Sequence, residues 1–87
     1  MDKLKNIILK IFTPDGILFN DEVTSVTLPG KKEVFTVLIN HAPIISSLTK
    51  GDIKYKIDED IFKIDVDSGF VEVKNNVVTV CLETVIK

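Results

Sequence analysis

His41 is the one histidine in the sequence and the side chain whose ordinary pKa lies nearest neutrality, so it is the first residue to consider for general-base chemistry. A base of this kind needs a proton to abstract within hydrogen-bond reach and a third group to orient its ring. Ser46 and Ser47 are the nearest hydroxyls in the sequence, and they suit loop hydrogen bonding as well as catalysis. Cys81 stands in the apolar run Val77 to Leu82, where a small buried hydrophobe is expected. With no placed nucleophile or oxyanion hole, His41 reads as a structural or interface residue rather than a catalytic one.

Asp65-Val66-Asp67-Ser68-Gly69 has the opening of a calcium loop, but that pattern needs a further oxygen ligand before its glycine and a bidentate glutamate well downstream. Asp65 and Asp67 are better explained as the solvent face of a strand. The glycines at 16, 30, 51 and 69 stand alone in separate turns, without the spacing of a dinucleotide or phosphate loop. One cysteine and one histidine exclude an internal disulfide and any site built from several imidazoles. No catalytic, metal-binding or cofactor-binding residue is expected, and no cofactor.

Charge narrows the partners. The chain has eleven lysines, no arginine, 13 acidic residues and a formal charge of −2, which leaves no electrostatic footprint for nucleic acid. Bidentate recognition of phosphate or guanine is chiefly an arginine function. No run of about 18 apolar residues is present, and Met1 to Lys5 leads only into Ile7 to Leu9, so neither membrane insertion nor a signal peptide is expected. The expectation is a soluble chain suited to a reducing compartment.

The elements that must position these residues are strands. Of 87 residues, 45% are apolar and 28% charged, an ordinary globular balance for one domain spanning residues 1–87. Isoleucine, valine and threonine together supply 30 of them, whereas alanine occurs once, at Ala42. Ile53, Tyr55 and Ile57 alternate with Lys54 and Lys56, and Phe62, Ile64 and Val66 repeat the pattern around an Asp58 to Asp60 tip, which predicts a hairpin. A second hairpin joins Phe70–Lys74 to Val77–Leu82 through Asn75-Asn76, because asparagine tolerates positive φ. Pro29-Gly30 predicts a type II turn with positive φ at the glycine. Ile7 to Phe12 and Val34 to Ile39 are apolar on both faces, so the second face of each strand must lie under a loop or meet another protein. Short strands between frequent turns make the fold class all-β, a flattened sandwich or barrel of two roughly five-stranded antiparallel sheets.

The order of motifs is more specific than any one of them. Thr13-Pro14-Asp15-Gly16, Val26-Thr27-Leu28-Pro29-Gly30, Asn40-His41-Ala42-Pro43, Gly51, Gly69-Phe70-Val71-Glu72-Val73 and Asn76-Val77-Val78-Thr79-Val80 follow one another at separations that strongly resemble the N-terminal β-sandwich domain of the epsilon subunit of rotary ATP synthase, called delta in mitochondria. The resemblance covers about Leu4 to Lys87. It implies a ten-stranded sandwich at the foot of the central stalk, one copy per complex. Its partners would be the gamma subunit and the membrane rotor ring of c subunits, and it would turn with them without catalysing a reaction. The implied location is peripheral, on the cytoplasmic face of the bacterial inner membrane.

By the same resemblance, Gly30, Lys31, Lys32, Glu33 and Val34 match the rotor-ring contact loop, and His41, Ala42, Pro43 and Ile44 match a segment close to gamma. The sequence departs from the common pattern at Glu33, Val34 and Ile39, and Ser68 replaces the first of a common glycine pair. The pair of C-terminal helices found in typical bacterial members would begin where this sequence reaches Thr84-Val85-Ile86-Lys87, so no helical domain is expected within it. Two other readings are a free-standing adaptor that binds a peptide or glycan at a sheet edge, and a small hydrolase dependent on His41.

Overall fold

The computed structural model describes residues 6–83, so Met1 to Lys5 and Thr84 to Lys87, including the point where the helical pair would begin, lie outside the described residues. Strand β1 (Ile7–Thr13) turns into β2 (Gly16–Val23) through Pro14-Asp15. Proline pre-sets the first turn residue, and the Thr13 hydroxyl accepts the Asp15 N–H at 3.1 Å. Gly16 closes the turn at φ +131°, a conformation that side chains resist. After β3 (Ser25–Pro29) and β4 (Val34–Val37), the chain crosses to β5 (Ile44–Leu48) and continues through β6 (Gly51–Ile57), β7 (Asp60–Val66), β8 (Gly69–Lys74) and β9 (Val77–Leu82).

Both expected hairpins form. The β6–β7 turn is Asp58-Glu59, with Asp58 at φ 56°, and the β8–β9 turn is Asn75-Asn76 at φ 52° and 64°. Positive φ at both central residues gives the turn twist that suits paired strands. One sheet has the order β2-β1-β9-β8-β5 and the other β4-β3-β6-β7. Ile7, Leu9, Ile11, Val78 and Val80 on the first pack against Val26, Leu28 and Ile53 on the second, all fully buried. At the edge where β2 meets β6, Phe19 and Tyr55 close the gap with ring centroids 4.6 Å apart.

Several expectations are corrected. The all-β sandwich of two roughly five-stranded sheets is as expected, with five and four strands among the described residues, but β1 runs parallel to β9 where antiparallel pairing was expected. Parallel neighbours need a long connection, and here that connection is everything between β1 and β9. Pro29-Gly30 is not a positive-φ turn. Gly30 is instead required by close approach, since a Cβ there would lie 2.5 Å from the Glu33 carbonyl oxygen and 2.9 Å from the Phe35 ring. Around it the Lys31 N–H donates to the Ser47 carbonyl at 2.9 Å, and the Thr49 N–H to the Pro29 carbonyl at 2.9 Å. These bonds join the end of β3 to β5, so the two sheets meet at this corner.

The apolar two-faced segments are covered on one side only. Ile7, Leu9 and Ile11 are buried, whereas Ile8 faces outward and is 37% exposed. The second segment leaves the strand after Val37, with Val34 and Leu38 exposed. Cys81 faces outward on β9 and is half-buried rather than buried, because its neighbours Val80 and Leu82 take the inward positions. Ser46 and Ser47 belong to an edge strand, not to a loop. Among the described residues no helix is long and apolar enough to cross a membrane.

Candidate functional site

The loop of residues 30–34 joins β3 to β4, and the segment 41–44 is the end of the β4 to β5 crossover and the first residue of β5. Lys31, Lys32 and Glu33 are exposed at the loop tip, and with Phe35 they form one wall of a groove of about 400 Å³. Ile44 to Ser47 of β5 form the other wall. The structure therefore brings three residues of the first expected contact group together with Ile44 of the second. Gly30 is buried and supports the loop from beneath, so it offers no surface of its own, while Val34 is 67% exposed.

His41 follows Asn40, whose φ of 64° turns the chain back so that the His41 N–H reaches the Leu38 carbonyl at 3.2 Å. The imidazole Nδ1 lies 2.7 Å from the Ala42 carbonyl, which holds the proton on that nitrogen because a carbonyl oxygen can only accept. The Ser46 hydroxyl donates to the Ser47 carbonyl at 3.0 Å. His41 is thus engaged by its own backbone turn, and Ala42 and Pro43 are exposed beside it.

An apolar row not singled out from the sequence crosses the outer face of the five-stranded sheet. The pairing sets Ile17 beside Phe12, Phe12 beside Cys81 and Cys81 beside Phe70. Ile17 is 64% and Phe70 49% exposed, and Ile45 on the edge strand is also open. Apolar side chains of this size in one row mark a surface that gains from being covered. Phe70 alternates with the inward Val71 and Val73, a visible signal, but the row itself depends on β1 lying beside β9.

The outer face of the four-stranded sheet is polar, with like charges directly across from one another. Asp52 pairs with Asp65, and Lys54 with Lys63. A side-chain hydrogen bond with Asp52, reinforced by the repulsion of its charge, raises the Asp65 pKa above the ordinary aspartate value. A proton is therefore held more tightly in the folded chain than in the unfolded one. This contribution favours folding in full below the unfolded-state pKa and is lost as the pH rises through the folded-state pKa. Asp65→Asn is expected to raise the melting temperature at pH 7 and to lose that advantage when the carboxyl is protonated, near pH 3. Paired thermal melts check this, and an equal gain at both pH values would contradict it.

Residues 6–87 match the family described as the ATP synthase, Delta/Epsilon chain, beta-sandwich domain. The ATP synthase epsilon chain of Desulfitobacterium hafniense (strain Y51) is 40% identical over 76 residues, 87% of this chain and 58% of the relative. That of Leptospira borgpetersenii serovar Hardjo-bovis (strain JB197) is 36% identical over 72 residues, 83% of this chain and 57% of the relative. The chain thus spans somewhat over half the length of these relatives. Among solved structures, a chain of the Euglena gracilis mitochondrial ATP synthase, OSCP/F1/c-ring in rotational state 1, superposes with a TM-score of 0.86 at 19% identity, covering 94% of this chain and 53% of that one. A chain of the Tetrahymena thermophila mitochondrial ATP synthase central stalk and c-ring gives 0.77 at 14% identity, covering 95% of this chain and 66% of that one. At these identities the superpositions establish the sandwich fold.

Proposed function

The chain belongs to the delta/epsilon β-sandwich family of ATP synthase, and from that membership we propose that it is a non-catalytic rotor subunit which fastens gamma to the ring of c subunits. The observation that carries the reading is the pair of unlike surfaces. The outer face of the five-stranded sheet offers gamma an apolar row from Ile17 to Phe70, with Ile45 exposed on the neighbouring edge strand and the His41 to Ile44 segment leading into that strand toward the β8–β9 turn. The loop tip at Lys31, Lys32 and Glu33 offers polar side chains to the hydrophilic ends of the ring, with Val34 beside them. The two meet along β5, where the Lys31 N–H donates to Ser47, the neighbour of Phe70, and the close-packed two-sheet core behind both resists gradual shear and so passes rotation on without slip. On this reading the chain sits peripherally on the cytoplasmic face of the bacterial inner membrane.

The test is co-purification. The tagged chain, incubated with purified gamma subunit, is expected to elute as a one-to-one complex, and in membranes to be recovered with c subunits. A chain that stays monomeric beside gamma would overturn the assignment. It would favour the adaptor, for which the open groove along β5 would be the place to look.

A further inference from the structure

We infer that Asn76 is a positioning residue that holds the β4–β5 crossover, and with it the His41-Ala42-Pro43 segment, in place. Asn75 and Asn76 both lie at positive φ, as their two-residue turn requires, and glycine would meet that requirement equally well. The Asn76 side chain does something glycine could not. Its Oδ1 accepts the Asn40 N–H at 2.6 Å, and its Nδ2 donates to the Asn40 Oδ1 at 3.3 Å. Its main-chain carbonyl accepts the Ile8 N–H at 2.9 Å. One residue thus ties together the start of β1, the tip of the β8–β9 hairpin and the middle of the crossover.

The crossover needs such a tie. It leaves the four-stranded sheet at Val37 and joins the five-stranded sheet at Ile44, with Leu38, Asn40, Ala42 and Pro43 all exposed and Ile39 packed against the core as its apolar anchor. Within it the Asn40 backbone is left-handed, and the bond from His41 to Leu38 closes a local turn that by itself fixes nothing relative to either sheet. The reciprocal amide pair supplies that reference. It orients Asn40, and His41 follows directly. Asn75, by contrast, is exposed and serves only the turn, which makes it the natural control.

The consequence for binding rests on the gamma assignment above, whereas the consequence for the loop does not. In Asn76→Gly the turn keeps its φ and the side-chain tie is lost. The Asn40 amide is expected to exchange with solvent about tenfold faster or more, and affinity for purified gamma to fall about tenfold, with cooperative unfolding retained. Asn75→Gly should change neither quantity. Asn76→Asp should restore both, since the carboxylate still accepts from the Asn40 N–H and the Asn40 amide can rotate to donate to it. The inference is overturned if Asn40 exchange in Asn76→Gly matches the wild type, or if exchange accelerates while gamma affinity does not change. It is also overturned if Asn75→Gly has the same effects as Asn76→Gly. Failure of the wild-type chain to bind gamma at all would instead remove the assignment, leaving the exchange result to decide the role of Asn76 in the loop.

Discussion

Replacing Leu9 by alanine is expected to cost the domain about 2–5 kcal/mol, the usual range for emptying a leucine site in a close-packed core. Leu9 is fully buried in β1, the strand that pairs with β2 on one side and with β9 on the other. Both neighbours are held by main-chain hydrogen bonds, so the backbone cannot collapse readily into the space left behind, which favours the upper part of that range. A chain of this size has a typical total stability of roughly 4–13 kcal/mol, so the variant would retain little reserve. Urea unfolding followed by circular dichroism and by Tyr55 fluorescence would give the loss directly. Tyr55 is buried near Phe19 and Phe62 and reports on the interior of the sandwich. A cost below about 1 kcal/mol would mean that the inner layer is looser than its burial indicates.

The largest effect on assembly is expected from Phe70→Asp. Phe70 is about half exposed, so the substitution leaves the inner layer intact, but it places a charge at one end of the apolar row formed with Cys81, Phe12 and Ile17. Aromatic anchors at the centre of interfaces commonly contribute 2–4 kcal/mol, so affinity for gamma should fall by roughly 30- to 1,000-fold. Ile61→Asp provides the matching control. Ile61 is 64% exposed on the outer face of the four-stranded sheet, and its replacement should leave gamma affinity unchanged. Titration calorimetry with purified gamma separates the outcomes. Equal losses in the two variants would place gamma elsewhere, as would no loss in Phe70→Asp.

What could be read from the sequence was local. Asn75-Asn76 and the Asp58 to Asp60 tip specify their hairpins because the flanking alternation and the positive-φ residues agree, so neither needs information from elsewhere in the chain. What could not be read depends on contacts between distant segments. Gly30 was expected to supply positive φ, yet it is glycine because Glu33 and Phe35 fold back upon it. Cys81 faces outward because the register of β9 assigns Val80 and Leu82 inward, and a one-residue choice of register is weakly encoded in a run whose one hydroxyl residue is Thr79. The two candidate contact segments were legible as motifs, but their shared groove was not, since it exists only where the end of β3 meets β5. The apolar row was hidden for the same reason.

The parallel pairing of β1 with β9 also bears on how the chain is made. Ile8 lies against Val77, and Leu9 against Val78, so the central strands of one sheet come from opposite ends of the described residues. On a ribosome, β1 and β2 emerge first and must wait for nearly the whole domain to be synthesised before their missing neighbour appears. Until then β1 presents a bare edge able to template a wrong pairing. Long-range closure of this kind is entropically slow, which places acquisition of the native sheet after β9 has emerged, on a timescale of milliseconds to seconds.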